Sequence, residues 1–277
     1  MGRRGGRPVA YAVLGIWGAA MVVPWLWPVL TSLKQPSDVF TSVLPPTWTL
    51  DAYVRVFSLG SFPRYLANSV IVAATVVALN VLLDTMAAYA FAKLDFPFRN
   101  VLFGALLVTM MVPSQVNLIP LYRMMIGLHS AIPFLGADTL SGIILPGAVN
   151  VFGIFLMRQY FESIPDSILE AARIDGCSEW TILRRIVFPL ATPALATLMV
   201  FVLLSTWSDF LWPSIISSSE DSRTLPVGLA LLAQRNTVSW PETMAGAVVT
   251  AVPMALAFSV LQKRFIEGLT AGSVKDA

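Results

Sequence analysis

The chain has 277 residues, of which 56% are hydrophobic and only 12% charged; a soluble domain carries about twice that charged fraction. A net charge of +2, one Cys and one His argue against a nucleic-acid binder with a dense basic face, a disulfide framework and a protein-built zinc site. With a mean hydropathy of +0.74, the composition predicts an all-α, multi-pass membrane protein.

Residues 1–8 form a basic tail. The first span is predicted over 9–33 and holds Trp17, Trp25 and Trp27. A cleaved signal peptide is the competing reading, with its best site near Gly18-Ala19-Ala20. The apolar run continues well past that point, however, and supplies the roughly 20 residues a crossing needs. Residues 34–64 read as an irregular outer loop. The second span covers 65–92 and contains Asn68, Asn80 and Asp84. A turn around Pro97 leads to a third span over 101–125, broken in its outer half by Pro113 and Pro120. Residues 127–140 form a second outer loop, with His129 in it. The fourth span is 141–160, holding Asn150, and the fifth is 187–216. A polar third outer loop precedes the sixth span at 242–261, and 263–277 is a polar tail. The six-span body thus occupies 9–262.

Six spans place both termini on one side. Twelve Arg and Lys fall on that side and six on the other, which accounts for all 18. The positive-inside rule makes the termini and the 161–186 loop cytoplasmic, in a cell membrane.

That 161–186 loop is charged in an otherwise apolar chain. Ser163 followed by Asp166 fits a capping box, and Pro165 suits a first helical turn. Ile168, Leu169, Ala172 and Ile174 form a small apolar stripe. Gly176 can take the left-handed conformation that stops a helix. Ser178 can then cap a second helix running toward Pro189.

Glu170-Ala171-Ala172-x-x-Asp175-Gly176, followed by Ile186-Val187-x-Pro189-Leu190, resembles the "EAA" loop of ABC-importer permeases. Met111-Val112-Pro113-x-Gln115, Ile119-Pro120-Leu121-Tyr122 and Trp207-x-Asp209-Phe210-Leu211-Trp212-Pro213 are similar to carbohydrate-uptake permeases. Ser208 stands where that group usually has Asn. The tail from Gln262 to Lys275 resembles that of the maltose-type "G" permeases.

The resemblance implies a six-span type I ABC-importer permease fold, with a short cytoplasmic helix that docks on a separate ATPase. Glu170, Ala171, Ala172, Asp175 and Gly176 would form the docking element, and Gly268, Leu269, Thr270 and Gly272 a tail contact with the ATPase. The implied partners are a second related permease, an ATPase dimer and an extracytoplasmic solute-binding protein. The implied cargo is a sugar or oligosaccharide, with polyols and glycerol phosphodiesters as neighbours.

No G-x-x-x-x-G-K-[ST] stretch occurs, so ATP and Mg are expected in partner subunits, with no cofactor on this chain. No catalytic constellation appears, and an enzyme is not expected. Intramembrane polar groups are costly unless partnered, which makes them functional candidates. Asn150, Ser205, Trp207, Asp209 and Trp212 are the substrate-pathway candidates, since aromatic faces beside a carboxylate suit a sugar. Asp84 is expected to pair structurally. A six-span secondary transporter and a purely structural membrane subunit remain open alternatives at this level.

Overall fold

The computed structural model describes residues 6–58, 60–234 and 239–271, and every regular element among them is a helix. In chain order these are α1 (Gly6–Ser32), α2 (Asp51–Ser58), α3 (Phe62–Lys93), α4 (Arg99–Thr109), α5 (Leu118–Ala131), α6 (Leu140–Ile144), α7 (Val151–Glu162), α8 (Asp166–Ile174), α9 (Glu179–Ile182), α10 (Phe188–Leu190), α11 (Thr192–Ser208), α12 (Leu211–Ile216), α13 (Leu225–Gln234) and α14 (Trp240–Ala271). Three helices are long and apolar enough to cross a membrane: Tyr11–Ser32, Phe62–Lys93 and Trp240–Val260. Three bent helix pairs also pass the same test, giving up to six spans if each pair counts as one.

Prolines mark two of the three bends. Proline removes a backbone donor and disfavours helical geometry in the residue before it. Where the sequence predicts one span over 101–125, the chain turns by 89° between Arg99–Thr109 and Ser114–Ala131, with Pro113 at the junction. The predicted 141–160 span divides into Leu140–Gly147 and Val151–Glu162 at 41°, and the fifth bends by 82° between Leu190 and Thr192. A π-helical turn at Leu183–Val187 precedes that last bend, two residues before Pro189. The fifth helix ends at Ser208, and Leu211–Ile216 forms a separate short helix.

Two expected loops carry helices, α2 within 34–64 and α13 within 217–241. The expected polar tail is helical as far as Ala271, because no proline follows Pro253 to interrupt it.

The residues group into two compact units, 1–64 with 228–253 and 65–227 with 254–277. In the first, the Tyr11–Ser32 stretch exposes its apolar side chains, and none of its most apolar window is buried. The segment after α1 is ordered by polar contacts. Buried Lys34 donates to Ser42 O at 2.5 Å and lies 5.3 Å from the Trp27 ring centre. Ser32 and Tyr53 share a 2.8 Å hydrogen bond, and Arg55 pairs with Glu242 at 2.7 Å.

The second unit holds the main core. Met157, Phe161, Leu169, Ile182, Val187 and Leu198 are almost fully buried there, drawn from α7 through α11. The ring of Tyr89 meets Phe161 edge-on at 6.3 Å. Arg158 lies inside α7, its guanidinium 4.0 Å from the centre of the Phe103 ring and paired with Glu162 at 2.7 Å.

Candidate functional site

Two places in the second unit concentrate polar chemistry. The first is the short helix α8. It starts at Asp166 after Pro165, and Ser163 instead ends α7, its hydroxyl donating to Tyr160 O at 2.7 Å. The expected Ser163 capping box therefore does not form. The Asp166 carboxylate accepts from Lys93 Nζ at 2.6 Å. The Lys93 hydrogen bond and charge hold the Asp166 carboxyl below the usual carboxylate range. Lys93 Nζ also donates to Ile164 O at 2.7 Å.

The other end of α8 is built as the sequence predicts. Gly176 has φ +80°. Its N–H donates to Arg173 O, and Cys177 N–H donates to Ala172 O, both at 3.0 Å. That pair of bonds is a Schellman stop, which needs a left-handed residue where glycine is unstrained. Ser178 then caps α9, accepting from Thr181 N.

Arg173 Nε donates to Glu179 Oε1 at 2.7 Å, and Tyr89 donates its hydroxyl to Glu179 Oε2 at 2.5 Å. The hydrogen bond to Glu179 raises the Arg173 guanidinium above its ordinary range.

α8 is two-faced. Leu169 and Ala172 are buried against the chain's own core. Glu170, Ala171, Asp175 and Gly176 are exposed, and Ile174 stands 86% exposed beside them. The expected apolar stripe is thus split. Leu169 and Ala172 point in, while Ile168 and Ile174 do not.

The second place is a cavity of about 470 Å3. Of the pathway candidates, Asn150, Ser205, Asp209 and Trp212 line it, and Trp207 does not. Trp207 is buried in the packing instead. Asp209 Oδ1 accepts the Trp212 N–H at 3.4 Å, and Trp212 Nε1 donates to Gly142 O at 3.0 Å. Ser208 and Thr206 also line the cavity, as does Asn80. The Asn80 amide donates to Gly147 O at 2.7 Å and Val76 O at 2.9 Å, and its buried carbonyl oxygen has no partner. Asn80 therefore both bridges helices and borders the cavity. Its carboxamide within an apolar run is the signal for both roles, with bridging the commoner use.

Asp84 does not line the cavity. It is fully buried, and Oδ1 accepts the Asn150 N–H at 3.0 Å. That places a carboxylate at the N-terminus of α7, where helix amides and the helix dipole favour negative charge. Gly268, Leu269 and Thr270 lie in the last turn of α14, and Gly272 lies outside the described residues. His129 sits in the last turn of α5 with Nδ1 3.3 Å from Leu135 O. Among the described residues no three His, Cys, Asp or Glu side chains cluster to hold a metal.

Residues 85–270 match the family model described as "binding-protein-dependent transport system inner membrane component". The chain is 35% identical over 260 residues to an arabinooligosaccharides transport system permease protein of Halalkalibacterium halodurans, covering 92% of this chain and 91% of that one. It is 29% identical to a diacetylchitobiose uptake system permease protein of Streptomyces coelicolor, over 96% of this chain and 88% of that protein. Among solved structures it superposes with a TM-score of 0.84 and 28% identity on a chain of a bacterial ABC transporter involved in alginate import, covering 96% of this chain and 99% of that one.

Proposed function

Since this chain belongs to the family of binding-protein-dependent transport system inner membrane components, we propose that it is the permease subunit through which an ATP-driven importer carries a sugar or oligosaccharide. It is a transport subunit and not an enzyme. The named cargoes of its relatives, arabinooligosaccharides and diacetylchitobiose, support the carbohydrate class. The cavity chemistry suits the same class, because Asn80, Asn150, Ser205, Ser208 and Asp209 offer acceptors and donors beside the Trp212 ring.

The observation that carries the coupling role is the two-faced α8. Its inner face is seated by Leu169 and Ala172, while Glu170, Ala171 and Ile174 stand in the open, with nothing among the described residues burying Ile174. That outer face docks on an ATPase subunit. Glu170 makes a polar contact, Ala171 permits close approach, and Asp175 and Gly176 turn the chain away. Ala172 serves from the inside, letting α8 lie close on its own core.

ATP and Mg bind in the ATPase dimer. A second permease completes the pathway, and a solute-binding protein delivers cargo from outside. The last turn of α14 and Gly272 approach the ATPase as a further contact. The distribution of Arg and Lys supports cytoplasmic termini in a cell membrane. ATP closure of the dimer carries α8 with it and opens the cavity outward, in an alternating-access cycle. Of the two deep acids an ion-coupled transporter could use, Asp84 is tied through Oδ1 to Asn150 and Asp209 lines the cavity.

The test is co-purification of the tagged chain with its genomic neighbours in detergent. The expected result is co-elution of an ATPase and a second permease, with Glu170→Lys losing the ATPase while the remaining chain stays intact. A chain that elutes without any ATPase would overturn the docking role.

A further inference from the structure

We propose that α3 carries motion of α8 to the cavity, and that Lys93 and Tyr89 are positioning residues that fasten α8 to α3 at its two ends. The inference rests on the docking reading of α8. A nine-residue helix held only by its flanking chain would pivot under load instead of moving its neighbours. Here α8 is held at both ends by one helix.

At the start of α8, Lys93 binds Asp166 Oδ1 at 2.6 Å and Ile164 O at 2.7 Å. The Lys93 side chain is only 5% exposed, so these oxygens stand in for the water that its ammonium has lost. At the far end, Arg173 binds Glu179 at 2.7 Å, and Glu179 accepts from Tyr89 at 2.5 Å. Arg173 Nη2 also reaches Lys93 O at 3.4 Å, closing the ring of contacts. Tyr89 and Lys93 are four residues apart and so share one face of α3.

The other end of the lever is the cavity. Ser69, Val72, Val76 and Asn80 all lie on α3 and line it. No Gly interrupts α3, and its one Pro is Pro63 in the first turn, so nothing between Ser69 and Lys93 forms a hinge. From Lys93 to Asn80 is thirteen residues, about 20 Å along the axis. Asp84 sits between them and holds the first turn of α7, the helix that leads into α8. A displacement of α8 therefore acts on α3 at Lys93, at Tyr89 and, through α7, at Asp84.

The test uses the full transporter in lipid vesicles with its ATPase, partner permease and binding protein. Cys177 is replaced by Ser, and Ser205→Cys places one thiol on the cavity wall. Labelling of that thiol by a membrane-impermeant maleimide is measured with and without MgATP plus vanadate, alongside ATP hydrolysis. The parent should show an ATP-dependent change in labelling. Tyr89→Phe combined with Lys93→Met should keep the ATPase bound and hydrolysing while the labelling change shrinks about tenfold. Lys93→Glu alone should lose the change, and adding Asp166→Lys should restore part of it.

An undiminished ATP-dependent change in the Tyr89→Phe, Lys93→Met variant overturns the inference. So does loss of the ATPase from Tyr89→Phe, which removes one hydroxyl and should leave the outer face of α8 intact. A parent that binds and hydrolyses ATP with no change at Ser205→Cys also overturns it. Failure of the underlying reading looks different, since Glu170→Lys would then retain the ATPase.

Discussion

The Asp84 carboxylate of α3 accepts the backbone N–H of Asn150 at 3.0 Å, at the break within the fourth span. A side chain in the middle of one span thereby holds Asn150, the residue whose own Oδ1 caps α7 by accepting the Phe152 N–H. The arrangement needs room at Gly153, where an added methyl would fall on Asp84 Oδ2 and lie 2.8 Å from Leu198 Cδ1. Gly153→Ala should destabilise the chain by about 1–3 kcal/mol through overpacking. Gly104→Ala has nothing within 4 Å of the new methyl. It should be neutral or stabilise by up to about 1 kcal/mol. Thermal aggregation in detergent reads both, and equal midpoints for the two variants would contradict the packing at Gly153.

The two faces of α8 should separate folding from association. Ile174 is 86% exposed and Leu169 is 1% exposed. Ile174→Asp should leave the thermal midpoint unchanged and weaken ATPase association by about tenfold or more, as loss of an apolar anchor does. Leu169→Asp should lower the yield of folded chain, because it buries an unpaired carboxylate. Retention of full ATPase binding by Ile174→Asp would place the docking face elsewhere.

The polar knot around Asp138 should respond to acid. Asp138 has φ +56°, and its Oδ1 accepts from the Ser222 hydroxyl at 2.5 Å and from the Ser218 and Ser219 N–H groups at 2.8 Å each. Burial pushes its carboxyl up, but these donors outweigh burial and leave it below the usual range. A carboxyl depressed in the folded state adds stability above its unfolded value, about 3.9, and loses it as pH falls through the folded value. Amide-exchange protection at Ser218 and Ser219, corrected for intrinsic rates, should be level from neutral pH down to about 4 and decline below it. Asp138→Ala should lower that protection at neutral pH and remove the acid step. Protection that rises on acidification would contradict the assignment.

The cavity should discriminate by charge. Among the described residues, Asp209 is the one charged residue lining it, and no Arg or Lys does so. A lone carboxylate on that wall disfavours an anionic cargo. Neutral oligosaccharides should compete for uptake better than uronate oligosaccharides of equal length. Asp209→Asn should narrow the difference by about tenfold, the order expected for one like-charge contact. Equal competition in the parent would show that Asp209 does not face the cargo.

Short stretches of chain encode part of this architecture directly. Six apolar stretches, the stop at Gly176 and the cap at Ser178 were all legible, because hydropathy, left-handed backbone and capping act within a few residues. The family motifs were legible for the same reason. Other features depend on groups far apart in the chain. Ser163 and Asp166 had the spacing of a capping box, but Lys93, 73 residues away from Asp166, claims that carboxylate. Ala171 and Ala172 are chemically identical, and only packing against the core turns one outward and the other inward. Trp207 and Trp212 share one motif, yet only Trp212 reaches the cavity. Prolines marked where helices could break, while the 89°, 41° and 82° bends follow from what packs on either side of each break. Local backbone preferences set where elements start and stop. Burial and long-range hydrogen bonding choose which side chains face the core, the cavity or the outside, and no residue carries that choice alone.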